Sequence, residues 1–287
     1  MKTVKTPHAA QITSFQKNMI NIHGLKGETW VSFLPKLIQE LKDLWGLSDL
    51  RPLENLSFHY VLAGFQGKRP IVLKVGFDHK SLAQEIRALE AYQGYGAVRV
   101  IEHKPGALLM EHILPGTCLS ASQNEHALLV ACKVMKRLHC APIPPGLDCL
   151  TIEKRLNILE GEWDLPAAYL DRARKIKEKN PINQTEVVLL HGDLHRGNIL
   201  LQGKNNWIAI DPKGVIGNPI HEAWAFIEDF EKDTQCVASF FNFDLQLLRD
   251  WCFVHFVLTV CWCLEDKIDP HRFFDRMVKA SHWVSGF

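Results

Sequence analysis

HGDLHRGNIL, residues 191–200, carries two histidines, an aspartate, an arginine and an asparagine between two apolar runs. The first run is Val187-Val188-Leu189-Leu190; the second begins at Ile199 and ends at Asp211. Polar groups beside buried strands are costly unless they are paired or used. Asp193 and Asn198 stand five residues apart, and Asp211 follows eighteen residues after Asp193. A carboxylate to accept a hydroxyl proton, with an amide oxygen and a second carboxylate to hold a hard cation, is the set that Mg²⁺-dependent phosphoryl transfer needs. In that assignment Asp193 faces the acceptor hydroxyl, and Asn198 and Asp211 hold the cation. His191 is expected to hydrogen-bond the loop backbone. For His195 and Arg196, a place near phosphates and a place in solvent both stay open.

The same chemistry asks for a strand lysine to pair nucleotide phosphates and a helix carboxylate to hold that lysine. Lys74 ends the apolar run Ile71-Val72-Leu73, and Glu85 lies in the segment that follows. Each residue alone has an ordinary reading. Lys74 could be a plain strand lysine, Glu85 a solvated helix glutamate, and Asp193 and Asn198 turn formers. The ordered set is what argues against coincidence.

Working outward, residues 1–27 are polar and mixed, and predict no strong element. Glu28 to Trp45 has apolar residues at helical spacing, with Pro35 either kinking the helix or marking its start. Leu56 to Leu62 and Ile71 to Val75 predict a hairpin around Ala63 to Gly67, Ser81 to Tyr92 a helix, and Ala97 to Ile101 and Ala107 to Met110 two further strands. Asn124 to His139 is expected to be helical, Arg172 to Lys179 to be a solvated helix face, and the chain from Glu222 onward to be helical. The plan is a small β-rich part followed by a larger helical part that carries the polar loop, with the division near residues 110–115.

At 287 residues with 47% hydrophobic and 23% charged residues, the chain can bury a sizeable core. A formal charge of +1 gives no global basic field, so nucleic acid is not expected as a partner. The eight cysteines show no Cys-x-x-Cys pair and the start has no apolar leader, so free thiols and a cytoplasmic setting are expected. Cys252 to Leu264 is apolar over thirteen residues, too short for a bilayer and suited to a buried helix, so no membrane partner is expected. Cys261 and Cys263 beside His255 point different ways on such a helix, which favours buried thiols over a metal site.

Residues 191–200 with Ile210-Asp211-Pro212-Lys213-Gly214 resemble the aminoglycoside phosphotransferases, relatives of the protein kinases, nearest the branch of streptomycin and hydroxyurea kinases. Val72-Leu73-Lys74-Val75-Gly76, Gln84 to Leu89, Leu109-Met110-Glu111, Pro115-Gly116-Thr117 and Arg137-Leu138-His139 are similar to that branch too, so the resemblance spans roughly residues 55 to 265. It implies an α+β, two-lobed, protein-kinase-like fold: a β-rich N-lobe over residues 1–110, preceded by an N-terminal helical segment, and a mainly helical C-lobe over residues 111–287. It makes Asp193 the catalytic base, Asn198 and Asp211 the Mg²⁺ ligands, and Lys74 and Glu85 the phosphate lysine and its partner. Leu109 to Ile113 becomes the hinge to the adenine edge, with Glu111 and Ile113 as nucleotide contacts, and Gly64 and Gly67 join the loop over the phosphates.

Three departures stand out. The segment Ala63 to Pro70 lacks G-x-G-x-x-G, Arg196 stands where many relatives have proline, and Glu222 stands where many have aspartate. Glu222 either braces the catalytic loop or touches substrate. Glu265 and Asp266 are either solvated helix-end charges or the lining of a pocket for a polycationic acceptor.

The implied activity is Mg²⁺-dependent transfer of the γ-phosphoryl of ATP, or GTP, to a hydroxyl of an aminoglycoside-like antibiotic, by a monomer or weak dimer. Hydroxyurea or another small metabolite is the alternative acceptor. A non-catalytic nucleotide-binding module is the alternative of a different class. A protein kinase is disfavoured, because eleven residues from Asp211 to Glu222 and no Ala-Pro-Glu leave no room for a long activation segment.

Overall fold

The structure is a computed structural model that describes residues 7–53, 59–122, 124–145, 150–180 and 187–284, with side chains from Ser14 onward. The chain divides into two compact units, Met1–Glu90 with Val98–Gly116 and Ala91–Ala97 with Thr117–Phe287.

The first unit opens with a correction. Residues 7–27, expected to lack a strong element, belong to a long helix, α1 (Pro7–Trp45), broken at Gly24, whose φ of 56° and ψ of −137° are not helical. Gly24 and Gly27 hide this in the sequence. Yet Phe15 and Met19, one turn apart, are fully buried and join Leu34 and Leu41 in the core. Pro35 neither starts the helix nor carries its break; it lies inside the second segment.

Five antiparallel strands follow, β1 (Leu47–Pro52), β2 (His59–Gln66), β3 (Arg69–Gly76), β4 (Val100–Lys104) and β5 (Ala107–Glu111), in the order β1-β2-β3-β5-β4. Strand β1 was not foreseen. It buries only Leu47 and carries a register shift between Ser48 and Arg51, so it shows neither clean alternation nor an apolar run. The predicted hairpin is present, but β2 runs on to Gln66, and the turn is the pair Gly67–Lys68 between partners Gln66 and Arg69. Residues 56–58 of the first predicted strand lie outside the described residues. Helix α2 (His79–Ala91) is capped by Asp78, whose Oδ1 accepts from the N–H groups of Lys80 (3.0 Å) and Ser81 (3.2 Å). Its buried face is Leu82, Glu85, Ile86, Ala88 and Leu89.

Where the chain passes into the second unit, β6 (Pro115–Cys118) pairs with β9 (Ile199–Gln202), which forms a hairpin with β10 (Asn206–Ala209). The short strand β7 (Leu150–Thr151), β8 (Val188–Leu190) and β11 (Val215–Gly217) form another small sheet with β11 at its centre. Around these lie α3 (Ala127–Leu138), α4 (Ile152–Leu156), α5 (Ala167–Lys179), α6 (Phe230–Phe241), α7 (Leu245–Glu265) and α8 (His271–Ser281). The charged run in α5 is a solvated face, with Leu170, Ala173 and Ile176 turned inward.

Helix α7 is longer than its apolar window suggested. At 21 residues it is long and apolar enough to cross a membrane, yet 78% of its most apolar window is buried in the protein. It is apolar on nearly every side because neighbours surround it, which is the pattern of a core helix. Cys252, Cys261 and Cys263 on it are buried free thiols, and burial pushes the Cys261 thiol up to about 12.

Candidate active site

In the first unit, Lys74 sits on β3 and is almost fully buried, as is Glu85 on α2. The Lys74 ammonium donates to both carboxylate oxygens of Glu85, at 2.8 Å each. The lysine is on the third strand of the sheet, where protein kinases carry theirs. The predicted hinge, Leu109 to Ile113, takes in the end of β5 and the two residues after it. Glu111 is anchored there twice: its N–H donates to the Arg99 carbonyl (3.0 Å) and its Oε1 accepts from the Arg99 N–H (3.0 Å). Ile113 is buried. Gly64 has a packing reason of its own, since a Cβ there would lie 2.7 Å from the Ser48 carbonyl and the Leu50 side chain of β1.

In the second unit, the polar stretch leaves β8 at Leu190 and re-enters a strand at Ile199, with one turn of 3₁₀ helix at Arg196–Asn198 between them. His191 is fully buried. Its Nδ1 accepts from the Asp193 N–H (3.3 Å), so its Nε2 donates to the Ile210 carbonyl (2.8 Å). Its own carbonyl accepts from the N–H groups of Lys213 (2.7 Å) and Gly214 (3.3 Å). One histidine thus ties the Asp193 loop to the Asp211 segment, and burial keeps it neutral by lowering its pKa.

Asn198 donates its amide to the Asp193 carbonyl (2.9 Å), which leaves its Oδ1 as an oxygen donor for another partner. The Ile210 N–H donates to the Asn198 carbonyl (3.0 Å), and Asp211, next in line, has a left-handed backbone with φ of 60°. Such geometry is uncommon outside glycine and gathers at functional sites. The Asp193 side chain is 44% exposed, unlike the groups that hold its loop. His195 accepts the Gly197 N–H at Nδ1 (3.0 Å), and its Nε2 lies 4.0 Å from Asp193 Oδ1. Arg196 faces away from that pair, bonded to Glu228 (3.1 Å) and the Phe226 carbonyl (3.2 Å).

Of the two roles open for Glu222, its contacts are those of a brace. It is buried, and its carboxylate accepts from the N–H groups of Gly192 (2.7 Å) and His191 (3.2 Å) and meets His139 Nε2 at 2.8 Å. Burial pushes its carboxyl up, but the His139 bond and charge, with His191 and the Gly192 N–H, outweigh this and hold it below the usual range. Glu265 and Asp266 are exposed at the end of α7.

Two groups that hold this loop, Arg155 directly and His139 through Glu222, were given no role from the sequence. His139 follows the last residue of α3, and only its similarity to the family marked it. Arg155, on α4, donates to the Gly192 carbonyl at 2.6 Å, and its guanidinium lies 4.5 Å from the centre of the Trp262 ring. No motif or spacing announces it, because it meets a backbone atom 37 residues away.

The model of the aminoglycoside/hydroxyurea antibiotic resistance kinases matches residues 57–266. The chain belongs to that family. It is 29% identical to streptomycin 6-kinase of Streptomyces glaucescens, over 86% of this chain and 89% of that protein. It is 28% identical to hydroxyurea phosphotransferase of Kitasatospora aureofaciens, over 85% of this chain and 77% of that protein. Among solved structures it is similar to a thermostable aminoglycoside phosphotransferase in ternary complex with ADP and hygromycin B. The TM-score is 0.65 at 14% identity, covering 87% of this chain and 99% of that one. The protein-kinase-like fold and membership in a family of phosphotransferases follow from these likenesses.

Proposed function

We propose that this kinase transfers the γ-phosphoryl of ATP to a hydroxyl of an aminoglycoside-like antibiotic, streptomycin being the first candidate. The observation that carries this reading is the contrast at the loop: Asp193 is open to an incoming hydroxyl, while its backbone is held by the buried His191 and Glu222 and by Asn198. Asp193 accepts the acceptor's proton as the hydroxyl attacks. Lys74, fixed by Glu85, orients the nucleotide phosphates, and residues 109–113, Glu111 and Ile113 among them, supply the adenine contacts. Asn198 Oδ1 and the Asp211 carboxylate are hard oxygen donors of the kind that suits Mg²⁺, and would hold it. When bound, Mg²⁺ neutralises charge that develops on the transferring group. Glu265 and Asp266 are the acidic groups proposed to attract an acceptor amine.

A second acceptor class has support of similar strength, since the hydroxyurea phosphotransferase relative is about as similar as the streptomycin kinase. The test is intact-mass detection of phosphorylated product with ATP and Mg²⁺ over streptomycin, other aminoglycosides, hydroxyurea and small hydroxylated metabolites. Product from an aminoglycoside is the expected result. Product from hydroxyurea alone moves the acceptor to the second class, and nucleotide binding with no product from any compound favours a binding module.

A further inference from the structure

Gly192, the residue before the proposed base, is gripped on both faces by opposite charges. Its N–H donates to the buried Glu222 carboxylate at 2.7 Å, and its carbonyl accepts from the Arg155 guanidinium at 2.6 Å. Glycine is needed there: φ is +79°, and a Cβ would lie 2.5 Å from Val215 and 3.2 Å from the guanidinium itself. Arg155 is in turn fixed by Trp262 of α7, whose ring lies 4.5 Å from the guanidinium carbon, within the range of a cation–π contact. Charge-assisted bonds of this kind are short and strong, and two of them on successive peptide groups leave the backbone little freedom.

We propose that Arg155 is a positioning residue of the phosphoryl transfer: with Trp262 behind it and Glu222 opposite, it clamps the Gly192–Asp193 peptide and so fixes the base carboxylate. Arg155 belongs to neither the nucleotide nor the metal set. Its action is on the geometry of attack, where small displacements carry large rate penalties. The inference rests on the reading of Asp193 as the base.

The test compares wild type with Arg155→Gln and Arg155→Lys by steady-state kinetics on whichever acceptor the intact-mass screen identifies, and by amide hydrogen exchange over residues 191–194. For Arg155→Gln the expected result is a kcat lower by about 10- to 100-fold, with the KM for ATP within about twofold of wild type. Exchange in the loop should be faster by about tenfold, with no matching change in α7 or α5. Arg155→Lys, which restores charge and a donor, should recover part of both. If Arg155→Gln does not fold, Arg155→Lys against wild type carries the same comparison.

Unchanged loop exchange overturns the clamp, whether or not an acceptor has been found. Faster exchange with unchanged kcat overturns the catalytic role. Equal losses in kcat, nucleotide affinity and melting temperature for both variants mean a general structural role and overturn it too. If wild type transfers to no acceptor, the Asp193 reading fails while the exchange result still decides the clamp.

Discussion

Two buried glutamates, one in each unit, solve the same physical problem differently. Glu85 is 5% exposed and takes the Lys74 ammonium with both oxygens. Glu222 is 4% exposed and spreads its charge over a histidine and two backbone N–H groups. The first arrangement aims a side chain. The second fixes a stretch of main chain, and through it another carboxylate. A buried charge that faces an opposite ion is sensitive to that ion, because removing it leaves the charge uncompensated. A buried charge shared among several donors degrades in steps.

Breaking the Lys74–Glu85 pair should therefore have the largest effect on stability. Lys74→Met is expected to cost about 3–5 kcal/mol in denaturant unfolding. A second change, Glu85→Leu, should recover much of that while ATP binding stays lost. Recovery of binding in the double variant would mean that Lys74 serves the fold alone.

Glu222→Gln tests the other arrangement. It keeps the size and one carbonyl acceptor but loses the charge, so about 1.5–3 kcal/mol is expected, less than for Lys74→Met. The two variants should differ in kinetics as well, with Glu222→Gln lowering kcat more than it raises the KM for ATP. The opposite order of stability losses would erase the distinction drawn here.

A smaller effect comes from pH. Burial holds His255 well below its ordinary value of 6.5, with the His221 and Arg155 charges adding to the shift. The folded state then refuses a proton that the unfolded state accepts. Stability is full above about 6.5 and falls as pH drops toward the folded value, at about 1.4 kcal/mol per pH unit for one such group. The depressed Glu222 carboxyl works in the same direction at lower pH: its contribution is present above the unfolded carboxylate range and is lost as pH falls through the folded value. Unfolding measured from pH 7.5 to 5.0 should show the histidine part first, and a His255→Asn variant should flatten it. A flat wild-type profile would contradict the His255 assignment.

How much of this was legible in the sequence depended on where each interaction is written. Helix α2, strand β3 with its hairpin partner, and the ends of the polar loop carry periodicity or an apolar run, and were readable. The first half of α1 was not, because two glycines interrupt it and its buried Phe15 and Met19 make too short a stripe. Strands β1, β7 and β11 were missed for want of pattern: one buries only its first residue, and the others are two and three residues long. At the site, the residue types needed for phosphoryl transfer stood in chain order and could be named. The groups that hold them could not, since Arg155 acts on a carbonyl and Glu222 on two N–H groups, atoms every residue has.

The central claim is that the held loop exists to present Asp193 as a base. Its most direct test is single-turnover transfer from ATP to whichever acceptor the intact-mass screen identifies, by wild type and by Asp193→Asn, with ATP affinity measured in parallel. The account predicts a rate loss of at least about 100-fold in the variant, with ATP affinity within a few fold of wild type. Transfer by Asp193→Asn at the wild-type rate would contradict it.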